Sequence, residues 1–301
     1  MIKEVLGIER IRMLYLQLLY RCNFDCIFCY HGERLKWRDG YTLAEAKNLL
    51  HLLRTEYDLQ AITLLGGEPF VYKNLAEVLR YAKEDLDLTI DICTNAYRIE
   101  KQLRQSGRHI DLLRVSLDGM RELNDRLRRE GSFASAMRGL ELARELGVTT
   151  SGTMTVNSWN VDDVVPLAYR LQEAGVSRLN LHSVRVVGNA EEHPELALDA
   201  PSFTRIHEVL ETLRNAADLR IELRLDPDLE TGTVEGDKSC EIPIEGDRLD
   251  RIEADPRGGL SCSCFAVGND RNAFWYDKAA NRIEYRPTDQ DEVAAYLSAK
   301  A

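Results

Sequence analysis

Three cysteines stand within eight residues of the stretch LLYRCNFDCIFCYHGE, Leu18 to Glu33, directly after an apolar run with the character of a strand. Cys22, Cys26 and Cys29 have the spacing C-x3-C-x2-C. Zinc usually takes four ligands, often from paired C-x2-C knuckles, and His31 is the only nearby fourth donor. A redox pair needs only two thiols. Three thiolates without an obvious fourth suit an iron–sulfur cluster with one iron left open to a small chelating molecule.

A second group, Cys240, Cys262 and Cys264, lies in a segment rich in Gly, Asp and Pro. A disulfide between Cys262 and Cys264 would close a small strained ring, so geometry counts against it. The seventh cysteine, Cys93, falls in mid-strand, where a thiol is usually a small core residue. Seven cysteines, six of them in two clusters, with no secretory signal, point to metal rather than disulfides and to a reducing cytoplasm. A net charge of −11 gives no reason to expect nucleic acid or an anionic membrane as partner. No apolar run reaches the roughly 18–20 residues of a membrane span.

The elements that must position these groups alternate. Strand-like runs at Leu14–Tyr20, Ala61–Leu65, Leu88–Cys93, Leu112–Leu117, Val148–Val156 and Arg178–Val184 are separated by amphipathic helical segments such as AEAKNLLHLLRTEY. This is the pattern of βαβ units on a parallel sheet, open as a partial barrel or doubly wound. A helix near Phe203–Asn215 and the strand LRIELR follow, and from about Asp226 short β runs take over. The expected division is 1–200, 201–225 as a connection, and 226–301 as a small β-rich domain ending in a helix. No separate recognition module is expected ahead of the first strand.

Side chains alternate across a strand, so Ile90 and Ile92 face the helices while Asp91 and Cys93 face away. Likewise Leu113, Val115 and Leu117 oppose Arg114, Ser116 and Asp118, and Leu179 and Leu181 oppose Asn180 and His182. In a barrel the polar set lines the lumen, where a barrel packed only for stability carries branched aliphatics. The competing reading is a structural buried pair of Asp91 and Arg114. Asp91, Asp118 and His182 are the candidates for proton transfer with substrate, and Arg185 for holding a carboxylate bidentately. His31, His51, His109, His193 and His207 are expected to be solvated.

With GGEP at Gly66–Pro69, straight after the second strand, the sequence resembles the radical S-adenosylmethionine (SAM) superfamily. The resemblance spans roughly residues 14–190 and implies a partial (β/α)6 TIM-like barrel. It implies that Cys22, Cys26 and Cys29 hold a 4Fe–4S cluster whose fourth iron takes the amino and carboxylate groups of SAM. Gly66, Gly67, Glu68 and Pro69 correspond to the SAM-contacting turn, with close backbone approach at the glycines and Glu68 facing the ammonium. Thr94 and Asn95, in TNA, resemble the family's TNG, while Ser116 matches a ribose contact and Tyr30 a position near the adenine. The chemistry implied is reductive cleavage of SAM to a 5′-deoxyadenosyl radical that takes a hydrogen atom from substrate, with a flavodoxin- or ferredoxin-type electron donor.

The sequence after the barrel resembles a twitch-like extension of SPASM/twitch members, through Gly259-x4-Cys264 preceded by Cys240. It implies an auxiliary iron–sulfur cluster, 4Fe–4S or 2Fe–2S, on Cys240, Cys262 and Cys264. A degenerate lid without metal is the competing reading. An auxiliary cluster suits removal of an electron from a substrate radical, so oxidation of a sugar, aminoglycoside or nucleoside is the first expectation. The alternatives are maturation of a ribosomal peptide and, in another class, a non-catalytic iron–sulfur sensor.

Overall fold

The structure, a computed structural model, describes residues 1–232, 242–262, 272–287 and 293. Strands alternate with helices through β1 (Arg10–Gln17), β2 (Ala61–Leu65), β3 (Thr89–Thr94), β4 (Leu112–Ser116), β5 (Thr149–Val156), β6 (Arg178–Ser183) and β7 (Glu222–Leu225). Further strands follow, antiparallel to one another: β8 (Ile244–Glu245), β9 (Arg248–Ala254), β10 (Gly259–Ser261), β11 (Phe274–Asp277) and β12 (Arg282–Tyr285), with β9 also parallel to β1. The strand–helix alternation is the α/β architecture expected for a partial (β/α)6 barrel with a β-rich C-terminal part. Among the described residues no helix is long and apolar enough to cross a membrane.

The chain divides into two compact units. One comprises Met1–Cys22, Lys36–Ile92 and Gly236–Ala301, the other Asn23–Leu35 and Cys93–Glu235. In the first, the strand order is β12-β11-β10-β9-β1-β2-β3. Its core is the helix-facing set Leu14, Leu16, Ile62, Leu64, Ile90 and Ile92, all fully buried. Apolar residues at these alternate positions supply the largest favourable term in folding. In the second unit, β4-β5-β6-β7 run parallel. There Leu113, Val115, Met154 and Leu179 are fully buried on the helix side.

The first strand starts at Arg10 rather than near Leu14 and ends at Gln17 rather than Tyr20. The early start has a tertiary cause: β9 pairs parallel with β1 from Arg10↔Arg248 to Leu16↔Ala254. Part of the segment expected as a separate β-rich domain thus joins the sheet beside the first strand. The helix expected near Phe203 begins at Ala200, because Asp199 caps it by accepting from Ser202 N–H at 2.9 Å. Of the stretch expected to form a C-terminal helix, only Val293 lies among the described residues.

Candidate active site

In the first unit, the turn after β2 is fitted to the chain that leads into the cysteines. A Cβ on Gly66 would lie 2.6 Å from Leu19 O, and one on Gly67 would lie 2.2 Å from both Tyr20 O and Arg21 O. Gly67 N–H donates to Leu19 O (2.8 Å) and Glu68 N–H to Arg21 O (3.0 Å). The glycines therefore permit close approach of backbone to backbone, a requirement present before any ligand is considered. Glu68 is 1% exposed; its carboxylate accepts from Phe70 N–H at 3.0 Å and starts a short 3-10 turn at Pro69.

The polar face of this unit is set by register. Glu253, Tyr15, Thr63 and Asp91 lie side by side across β9, β1, β2 and β3. Arg251 sits over the Tyr15 ring at 5.0 Å and pairs with Glu253 at 3.5 Å. Asp91 and Glu253 are both buried. The expected alternation therefore holds, and Asp91 lies on the face away from the helices.

In the second unit, the loop from Asn23 to Gly32, carrying Cys26 and Cys29, is pinned at several points. Asn95 Nδ2 donates to Asn23 Oδ1 (2.8 Å), Arg129 to Asn23 O (2.7 Å), and Ile27 N–H to Leu127 O (3.2 Å). Arg129 also covers the rings of Tyr97 and Phe24 at 4.9 and 5.9 Å. Cys29 is pushed up by burial, against the backbone N–H groups of His31 and Gly32 and the charge of Arg128. Tyr30, 39% exposed, packs against the His31 ring at 4.1 Å. Thr94 Oγ1 accepts from Ala96 N–H and Asn95 Oδ1 from Tyr97 N–H, each at 2.9 Å. Ala96 has φ +54° where the resembling motif has glycine, a backbone region that disfavours a Cβ. Ser116 Oγ lies 3.9 Å from Cys93 Sγ.

Asp118 is fully buried, and its carboxylate accepts from Arg128 Nε and, at 2.7 Å, from Thr155 N–H. Its geometry is that of a counter-ion. Burial works to lower the Arg128 guanidinium, but the charge and hydrogen bond of Asp118 hold it far above its usual range. Arg128 also lies over the Phe28 ring at 5.5 Å. Sequence reasoning did not single out Arg128. The signal was two arginines following Leu127, a residue the fold buries.

At the exit of β6, His182 Nδ1 is 2.9 Å from Asp226 Oδ1, and Ser183 N–H donates to Asp226 Oδ2 at 3.1 Å. Arg185 pairs with Asp228 Oδ2 at 2.9 Å, and Ser183 Oγ donates to the same oxygen at 3.1 Å. Burial raises the Asp226 carboxyl, but the His182 hydrogen bond and charge, the Ser183 N–H and Arg185 together hold it below its usual value. Asp226 and Asp228, the partners of the two expected residues, were missed. Register places His182 beside Thr155, on the face shared by Ser116, Thr153 and Asn180.

Two expected solvated histidines are buried: His31 is 5% and His109 6% exposed. His31 is covered in the cysteine loop, and His109 lies in a short turn before β4. In the C-terminal segment Cys262 is buried just after β10, while Cys240 and Cys264 lie outside the described residues. Gly259 is confined, as a Cβ there would meet Asn272 Nδ2 at 2.2 Å and Asp255 Oδ2 at 2.5 Å.

Among the described residues, no group of three or more His, Cys, Asp and Glu side chains is gathered for a single metal ion. The donor chemistry fits a larger group: soft thiolates suit iron–sulfur clusters, and the buried Arg128 guanidinium would offset the negative charge of a thiolate-bound one.

Comparison with known proteins agrees. Residues 16–171 match the family model of the Radical SAM superfamily, and the chain belongs to that superfamily. The 4Fe–4S cluster and SAM are the cofactors of that family. An Fe-coproporphyrin III synthase of Methanosarcina barkeri is 30% identical over 206 residues, 67% of this chain and 49% of the relative. A protein of Saccharolobus islandicus named "Probable GTP 3′,8-cyclase" is 27% identical over 194 residues, 61% of each chain. The chain thus spans about half to three fifths of these relatives' length. Among solved structures, Streptococcus suis SuiB bound to precursor peptide SuiA has a TM-score of 0.67 at 18% identity, covering 89% of this chain and 62% of SuiB. Native anSMEcpe with bound AdoMet and the Cp18Cys peptide gives 0.65 at 17%, covering 87% of this chain and 76% of that one. These likenesses, at 17–18% identity, are ones of fold.

Proposed function

We propose that this radical SAM enzyme takes a hydrogen atom from a peptide and so matures it by oxidation, crosslinking, epimerisation or decarboxylation. The observation that supports a peptide is the likeness of fold, over 89% of the chain, to SuiB crystallised with its precursor peptide. When bound, the cluster and SAM supply an electron and a 5′-deoxyadenosyl radical.

The chain's own residues have these roles in the proposal. Cys22, Cys26 and Cys29 hold the cluster, and Gly66–Pro69, Thr94, Asn95, Ser116 and Tyr30 contact SAM. Arg128 places a positive charge beside Cys26. His182 receives a proton or hydrogen bond from substrate. Its partner Asp226 is below its usual pKa and ionised at neutral pH, hence acceptor-only, so a neutral ring carries its proton on Nδ1 and leaves Nε2 as acceptor. Arg185, steadied by Asp228, holds a substrate carboxylate or that of SAM. Asp91 is retained as a second polar contact, and Asp118 is reassigned as the counter-ion of Arg128. The barrel over 1–200, the connection over 201–225, an auxiliary cluster on Cys240, Cys262 and Cys264, a flavodoxin- or ferredoxin-type donor and a cytoplasmic setting belong to the same reading.

Oxidation of a small polar molecule is the second reading, favoured by Ser116, Thr153 and Asn180 in one register row. Anaerobic reconstitution, iron counting and a dithionite-driven assay for 5′-deoxyadenosine test the reading. About six to eight irons per chain with SAM cleavage supports it, and about four with cleavage removes the auxiliary cluster from it; iron without 5′-deoxyadenosine indicates the sensor instead. Mass spectrometry of a candidate peptide then separates the substrate classes.

A further inference from the structure

The short segment after β6, Val187 to Asn189, has no role in the reading above, yet it is fitted onto the cysteine loop. Asn189 uses three donors on that one loop. Its backbone N–H donates to Cys29 O at 2.9 Å, and its side-chain Nδ2 donates to Cys26 O at 2.9 Å and to Asp25 Oδ1 at 2.7 Å. Gly188 makes the approach possible. A Cβ there would lie 2.5 Å from Cys29 O and 2.6 Å from Tyr30 O, and its φ is +63°. On the loop's side, Gly32 meets it as a second glycine: a Cβ on Gly32 would be 2.9 Å from Gly188 Cα.

We propose that Gly188 and Asn189 form a clasp that presets the cysteine loop, making Asn189 a positioning residue for Cys26 and Cys29. The inference rests on the assignment of these cysteines as cluster ligands. Binding a rigid cluster requires thiolates at fixed separations, and a loop free to sample other shapes would bind it more weakly and release it faster. Asn189 holds the carbonyls of the two ligating residues themselves, which fixes where their side chains start. Only a side-chain amide of this length, with both hydrogens available, satisfies Cys26 O and Asp25 together. An aspartate here would set a carboxylate against two acceptors.

The test compares Asn189→Asp and Gly188→Ala with the parent protein, first as apo-protein. Alkylation of Cys26 and Cys29 by iodoacetamide, followed by peptide mass spectrometry, is expected to speed up about tenfold, with Cys93 unchanged as internal reference. After anaerobic reconstitution, the 400 nm absorbance is expected to bleach about tenfold faster in air, and the EPR signal of the reduced cluster to broaden. Parental thiol rates and cluster lifetimes in both variants would overturn the clasp. If Asn189→Asp fails to fold by circular dichroism, Asn189→Ser, which lacks the repulsion but cannot span both acceptors, takes its place under the same criteria. If the parent binds no iron, the cluster reading fails, while the apo alkylation rates still decide the clasp.

Discussion

The turn after β2 and the exit of β6 both follow the carboxyl ends of parallel strands, yet they are held in opposite ways. At Gly66–Gly67 the chain lies against other backbone, with no room for one extra carbon. At His182 and Arg185 the order comes from side-chain pairs with Asp226 and Asp228, and both side chains keep roughly half their surface, 50% and 44%. Backbone contact fixes a position and tolerates nothing else. A side-chain pair fixes an orientation and leaves the tip accessible to a ligand. In the proposed function the first arrangement serves the cofactor and the second the substrate.

Replacing Cys22, Cys26 and Cys29 with alanine should have the largest effect, abolishing iron retention and 5′-deoxyadenosine formation while circular dichroism stays parental. Asp118→Asn comes next. It leaves Arg128 buried without its counter-charge and should cost about 3–5 kcal/mol in urea unfolding, whereas Asp118→Asn with Arg128→Met should recover part of that loss. Gly67→Ala, which forces a methyl into two carbonyl oxygens, should cost about 3 kcal/mol. A loss no larger than that of a surface alanine would break the contrast between the two turns. At the β6 exit, His182→Gln should change stability by less than about 1 kcal/mol and leave uncoupled SAM cleavage within about twofold, a split that liquid chromatography of 5′-deoxyadenosine and product reads directly.

The smallest effect is in the pH dependence. Asp226 has a depressed folded-state pKa, so its stabilising contribution is complete above the unfolded carboxylate value near 4 and fades as pH falls through the lower folded value. Asp226→Asn should therefore flatten the acid-side decline of stability between about pH 4 and 2, by less than about 1 kcal/mol, in urea titrations at stepped pH. A steeper decline in the variant would show that the pair is not stabilising.

Several of these features were legible beforehand because their chemistry is local. Three thiols on one short loop and a GGEP turn behind a strand are patterns within a dozen residues, and strand alternation assigned Asp91, Ser116 and His182 to the polar face. The groups that hold those residues were not legible. Asn189 bonds Asp25 from 164 positions away, and His182 meets Asp226 across 44. Nothing in the sequence near Arg128 says that its counter-ion is Asp118 rather than solvent. His31 and His109 were misassigned to water for the same reason: burial is decided by what other segments bring to cover a side chain.

The amino-acid sequence by itself determined the strand–helix alternation, the cysteine spacing and the place of the GGEP turn after β2, because periodicity and covalent spacing are properties of neighbouring residues. Tertiary structure alone decided that β9 extends the sheet beside β1, that Gly66 and Gly67 are confined by the carbonyls of Leu19–Arg21, and that Asp118 serves as a counter-ion. Period-two alternation specifies which face a side chain is on. Which partner meets it there depends on contacts between distant segments, and those exist only once the chain has packed.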